Sequence, residues 1–279
     1  MKTSLKNFHE LTKKEVKAMM DNYPLNDDIT FLAKSEIRLK ILGELQKKPQ
    51  SIQELVKKTN ITYSSISSNL LKLEEHDHIT KKKNKFHLNP LSEIYYKNLM
   101  DFKVSIDLIT NLNDFWNRHN INQLSIDSVQ NIIDLKDSEL VETTPLDIYK
   151  THNTTKENII KSKNVKAIFP YLHPEYPQLI ENILKEHGTA ELIIPKEMFR
   201  EIVFKINEDI RKKAAKNGKL KVYTTKNDLK LYLTLCDNTM SLRLFKNDGS
   251  FDQNRLLISE SKKSQLWAEN LFETIKQEV

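Results

Sequence analysis

Cysteine is almost missing from this 279-residue chain. Cys236 stands alone, which excludes an intramolecular disulfide framework and a cysteine-rich zinc site. Glycine is scarce, at four residues, and no Walker loop, Gly-x-Ser-x-Gly elbow or Gly-x-Gly-x-x-Gly turn occurs. Little is left with which to build a phosphate-cradling loop, and no cofactor signature is present. No stretch approaches the ~18 uninterrupted apolar residues of a membrane span, and the opening residues MKTSLKN lack the apolar core of a secretory signal. The expectation is a soluble, cytoplasmic protein of two compact units, without a membrane partner.

What is present is an uneven distribution of charge. The chain carries 44 Lys+Arg against 38 Asp+Glu, a net charge of +6. Residues 47–90 hold nine lysines and no arginine against Glu54, Glu74, Glu75 and Asp77, so most of the excess lies in one short region. A lysine-rich stretch is ordinarily a solvated face; here the pattern around it carries more meaning.

Helical spacing of Ile37, Ile41, Leu42 and Leu45 predicts a helix over 29–48, ended by Pro49. Ser51 with Glu54 forms a capping box for a short helix over 52–58. Thr62 then caps a third helix, reaching Glu75, whose apolar stripe is Ile66, Leu70 and Leu73. Its other face carries Tyr63, Ser64, Ser65, Ser67, Ser68, Asn69 and Lys72. Serine and asparagine are mediocre helix formers, yet small hydroxyl and amide groups allow close approach to base edges and phosphates in the major groove. An ordinary solvent-facing surface is the plainer alternative. Residues 79–88 follow as a hairpin with Lys81, Lys82, Lys83 and Lys85 at its tip. Helix, short helix, small-residue helix and basic hairpin make the order of a winged helix-turn-helix over 25–90, which implies double-stranded DNA as partner.

Pro90 opens a long helix expected over 91–119. Its seam of Leu91, Tyr95, Leu99, Phe102, Ile106 and Ile109 is long enough for a coiled-coil homodimer, or for the back wall of the next domain. Residues 1–24 read as an amphipathic extension whose apolar residues are Leu11, Val16, Met19 and Met20.

Residues 120–279 alternate strands and helices. Strands are expected at 165–172, 190–194, 220–225, 229–236 and 240–245, and helices at 175–187, 196–217 and 262–276. The fold class is therefore multidomain α/β, with parallel pairing first and an antiparallel meander after it. Gly188 and Gly218 are read as left-handed helix stops. Two constellations stand out. His173-Pro-Glu175-Tyr176 follows a strand and opens a helix, the edge at which open α/β sheets bind ligands; a mere helix cap is the alternative. Asp248-Gly249 is a hairpin turn, whereas Asp252, Asn254 and Arg255 enter the next strand, where Arg255 could fix a carboxylate or phosphate. A calcium loop is excluded because Gln253 stands where such loops need glycine. Cys236 is read as core.

Several separated motifs resemble one family: SEIRLKIL at 35–42, the wing, DSELVE at 137–142, HPEYP at 173–177, DGSFDQNR at 248–255 and WAENLF at 267–272. Together they are similar to archaeal winged-helix transcription regulators of the methanogenesis-regulator type, from about residue 27 onward. That resemblance implies an ArsR-like DNA-binding domain joined to an effector domain with an unassigned small-molecule ligand. Ala268 departs from it, because relatives usually carry glycine there. Metal sensors of the ArsR type use cysteines this chain lacks, so no metal is expected, at His76-x-His78 or elsewhere. The arrangement of 120–279 is also similar to phospholipase-D-like effector domains. Such catalysis needs His-x-Lys, which occurs nowhere in the chain, so the domain is expected to be catalytically empty. The rival readings of this domain are an enzyme and a ligand-independent protein-interaction module.

Overall fold

The computed structural model describes residues 27–279; the amphipathic extension expected over 1–24 lies outside them. Two compact units divide the chain, one ending at Lys103 and the other beginning at Val104.

The first unit starts with α1 (Asp27–Ala33) and α2 (Glu36–Lys47). The single helix expected over 29–48 is broken because the Ser35 hydroxyl turns back to accept the Arg38 amide and caps a new start. α3 (Ile52–Thr59) has the expected capping box and ends at Asn60, a left-handed residue with φ of 56°. α4 (Tyr63–Glu75) follows under its Thr62 cap, and β1 (Ile79–Lys82) pairs antiparallel with β2 (Lys85–Leu88). Leu42, Leu45, Leu55, Ile66, Leu70 and Leu73 meet in one core, closed beneath the hairpin by Ile79 and Phe86. Gln50 and Phe86 exchange main-chain hydrogen bonds at 3.2 and 2.8 Å, which fixes the hairpin to the helices. His78 is buried, hydrogen-bonded to Ser92 Oγ at 2.9 Å, and burial pushes its pKa below the usual value.

α5 (Pro90–Asn111) is shorter than expected, and a separate helix, α6 (Asn113–Arg118), follows a break at Leu112. Trp116 therefore does not continue the long seam; it joins Phe115 in the core of the second unit. Leu91, Ile94, Tyr95, Phe102, Ile106 and Ile109 all remain exposed on α5, Phe102 to 63%.

The second unit is a mixed seven-stranded sheet covered on both faces. Its strands are β3 (Glu139–Glu142), β4 (Asn164–Ile168), β5 (Thr189–Pro195), β6 (Leu220–Thr225), β7 (Leu231–Leu235), β8 (Met240–Leu244) and β9 (Arg255–Ser259), ordered β3-β9-β8-β7-β4-β5-β6. β4, β5 and β6 run parallel, and the remaining pairs are antiparallel. Helices α8 (Lys150–Lys161), α9 (Tyr176–Lys185), α10 (Phe199–Val203) and α11 (Glu208–Lys216) accompany the parallel part. The five-residue α7 (Ile126–Gln130) and the C-terminal α12 (Lys262–Gln277) lie on the other side, where Trp267 Nε1 donates to Ser128 O at 2.8 Å. Alternation divides β5 between two cores: Ala190, Leu192 and Ile194 face one, Ile193 the other. Ala268 is fully buried among leucines and aromatics of α12.

Three expectations shift in detail. The helix expected over 196–217 is interrupted between α10 and α11, because Asn207 caps a fresh start with bonds to the Asp209 and Ile210 amides. The strand expected to reach residue 172 leaves regular pairing after Ile168. At the end of α9 the left-handed residue is His187, φ 62°, while Gly188 serves close packing: a Cβ there would sit 2.0 Å from Lys163 O. Among the described residues no helix is long and apolar enough to cross a membrane.

Candidate nucleic-acid interface and ligand cluster

The apolar stripe of α4 turns inward and leaves Tyr63, Ser64, Ser68, Leu71 and Lys72 outermost. Ser65, Ser67 and Asn69 are half-buried at the flanks. Asn69 spends its amide on its own helix, donating to Ser65 O at 2.8 Å, and Ser65 Oγ accepts the Thr62 hydroxyl at 3.0 Å. The seven-residue polar face expected from sequence is thus narrower: Tyr63, Ser64 and Ser68 keep exposed hydroxyl-bearing side chains, Ser64 Oγ lying 3.4 Å from Thr62 Oγ1. Leu71, absent from the face expected from sequence, is 58% exposed, and an exposed aliphatic side chain beside small hydroxyls is suited to a thymine methyl.

The hairpin turns at Lys83-Asn84, with Lys83 left-handed at φ 57°. Lys82 and Lys85 are direct partners across the ladder. Like charges placed opposite one another destabilise a strand pair, so this tip gains from an anion between its lysines. Lys81 differs, with its ammonium 5.5 Å from the centre of the Phe86 ring.

At the carboxyl edge of β4, the chain turns through Tyr171 and His173 into α9. His173 and Glu175 do come together there, with two residues of α8 that sequence reasoning missed. His152 Nε2 lies 2.7 Å from Glu175 Oε2, and Lys156 bonds Glu175 Oε1. Those bonds, Lys156 first, hold the Glu175 carboxyl below the usual range. Burial, then the charge of His152, pushes His173 below its ordinary value. Tyr176 is corrected from ligand contact to core: it is buried and stacked on Phe169 at 4.0 Å between ring centres.

Arg243 is the other omission. It sits on β8 between Leu242 and Leu244, an alternation that reads as one wet face, but α8 covers that face. Only 3% exposed, it donates to Thr151 O at 2.5 Å and Thr155 Oγ1 at 2.9 Å and lies over the Tyr232 ring. Among the described residues no carboxylate pairs with it and its Nε has no hydrogen-bond partner. A buried guanidinium without a counter-charge is costly.

The second constellation is corrected. Arg255 does not face a pocket; its charge is spent on Asp252 at 3.1 Å, Glu142 at 2.9 Å and Asp114 at 3.5 Å. Asp252 is fully buried, accepting from Arg255, from the Asn254 amide at 2.9 Å and from His119 at 3.0 Å. Asn254 is exposed and acts through its main chain. This loop borders the Tyr171 cluster through Phe251, whose ring lies 4.4 Å from that of Tyr171, and through Gln253 O, which accepts from Thr151. Asp248-Gly249 is the expected turn, with Gly249 at φ 84°. Burial pushes the Cys236 thiol up to about 11, in keeping with a core residue. A groove of about 670 Å³ lies at the opposite, amino-terminal edge of β4 and β5.

Residues 148–278 match the family model of the middle domain of the methanogenesis regulatory protein FilR1, and residues 26–109 that of the HVO_A0261 N-terminal domain. The matches support a transcription regulator. No curated protein matches the chain. Among solved structures it overlays TrmBL2, an archaeal chromatin protein, at 11% identity and TM-score 0.40, covering 90% of this chain and 97% of that one. An IclR-type regulator from Alicyclobacillus acidocaldarius overlays at 9% and 0.25, covering 91% and 97%. The methyltransferase CalO1 overlays at 12% and 0.24, covering 77% and 67%. At these scores the likeness is too slight to bear on fold or function.

Proposed function

We propose that the protein is a homodimeric, non-enzymatic winged helix-turn-helix transcription regulator that places α4 in the major groove and its lysine hairpin on the backbone. The observation that carries this reading is the pairing of an outward face on α4, where Ser64, Ser68, Leu71 and Lys72 are exposed, with a self-repelling lysine tip on the same unit. Helix face and cationic finger are what groove reading and phosphate gripping require. The family matches add a regulator's context.

Gel-shift selection from random duplexes tests it. Ser68→Ala and Leu71→Ala should change the preferred sequence by about 1–3 kcal/mol at one or two positions. Equal loss across all duplexes would remove α4 from base readout.

The exposed seam of α5 supports self-association: six apolar side chains on one helix are an unusual surface for an isolated chain. Ile106→Glu is expected to shift the protein to monomer in sedimentation analysis, because it buries an unpaired charge in the seam. A dimer that withstands this change excludes the seam as interface.

The second unit is read as the sensor, binding a small anionic ligand at the carboxyl edge of β4. Arg243 takes the role that Arg255 was expected to fill, since it alone of the two retains unspent charge.

A further inference from the structure

Three elements deliver chelating side chains to one point of the second unit. His152 comes from the first turn of α8, His173 from the turn after β4, and Glu175 from the start of α9. One donor atom from each residue lies within 4.8 Å of the others. The two imidazoles face each other at 4.2 Å between ring centres. Glu175 Oε2 is 2.7 Å from His152 Nε2 and 4.0 Å from His173 Nδ1. Their side chains are 24%, 29% and 38% exposed, enough for an ion to enter.

An ion pair alone does not account for this grouping. Lys156 already neutralises Glu175 through Oε1, which leaves Oε2 with two imidazoles gathered about it. His173 Nδ1 accepts a long 3.3 Å bond from the Glu175 amide and, among the described residues, no shorter one. Metal–ligand bonds of about 2.0–2.2 Å in a tetrahedral shell set donor atoms roughly 3.4 Å apart. The two spacings to Glu175 Oε2, 2.7 and 4.0 Å, bracket that value, and the remaining donor pair lies within 4.8 Å. Two nitrogens and one carboxylate oxygen suit zinc and its neighbours, whereas magnesium and calcium favour oxygen throughout. Lys156 would then orient the carboxylate from outside the metal's own shell.

We propose that His152, His173 and Glu175 form a three-ligand site for a divalent transition-metal ion of the zinc class, with a fourth position open to water or an anion. The ion fastens α8 and α9 to the carboxyl edge of β4. This inference concerns the same edge as the sensor reading, but its readout is direct metal binding, so DNA binding can fail without touching it.

The test uses the full, tag-free, chelator-stripped chain. Zinc is titrated against a chromophoric chelator and cobalt by its visible absorption. One equivalent is expected, lost or weakened by roughly a hundredfold or more in His152→Ala and His173→Ala, weakened in Glu175→Gln, and unchanged in His187→Ala, an exposed control. Circular dichroism accompanies each variant, and His152→Asn or His173→Asn replaces the corresponding alanine variant if it fails to fold. Wild-type chain that takes up no zinc against the chelator, or binding indifferent to both His152 and His173, overturns the site.

Discussion

Replacing Lys82, Lys83 and Lys85 together by alanine should cut affinity for duplex DNA by roughly two to three orders of magnitude near 0.1 M salt. Each lysine that neutralises a phosphate releases about 0.9 of a condensed counterion, so three lost contacts flatten the salt slope by about three units. The loss should be equal for all sequences, because the backbone carries no base identity. The geometry makes the prediction specific. Lys82 and Lys85 are cross-strand partners and Lys83 occupies the turn between them, so three charges crowd one hairpin end. Lys81 is held over Phe86, so Lys81→Ala should move the slope less than any of the other three. Filter binding from 50 to 300 mM salt, a range of about that order, decides the matter. An unaltered slope in the triple variant takes the hairpin off the DNA.

The first unit was legible because its signals are local. Ser51 and Glu54 form their capping box within one turn, and the stripe Ile66, Leu70, Leu73 lies on one helix. What sequence missed there was also local but subtler: Ser35 breaks a continuous apolar periodicity, since a capping serine in the middle of a good pattern looks like a tolerated surface residue. In the second unit five strands were readable from alternation and turn residues, but neither the short edge strand β3 nor the order in which the strands pair. The ligand cluster was not. His152 lies 21 positions before His173 in an unremarkable polar helix, and only the packing of α8 on α9 brings the two rings together. The omission of Arg243 and the misplacing of Arg255 have one cause. Periodicity says which face of a strand a side chain takes, but not whether that face is covered or which acids wait there. Arg255 finds three carboxylates, Arg243 none among the described residues.

That contrast makes Asp252 the residue whose loss should cost the second unit most. Asp252→Ala is expected to destabilise it by about 3–5 kcal/mol, because it strips a buried charge from its partners. For a unit of this size the melting temperature should fall by on the order of 10 °C. His119, itself buried, places its ring between Phe115 O at 2.5 Å and Asp252 at 3.0 Å. Removing the carboxylate leaves that ring and Arg255 facing a void. The double variant His119→Phe, Asp252→Ala should therefore cost less than the sum of its parts, a coupling that thermal or urea unfolding of the four proteins measures. The pH dependence follows in sign. Burial pushes the Asp252 pKa up, but the Asn254 amide, Arg255 and His119 outweigh it and hold it below the usual carboxylate value. Its contribution is thus complete above the unfolded carboxyl pKa, near 4, and drains away as the pH falls through the lower folded value. Wild-type stability should drop more steeply than that of Asp252→Asn on acidification below about pH 4; parallel curves would show that the buried carboxylate is not the group that titrates.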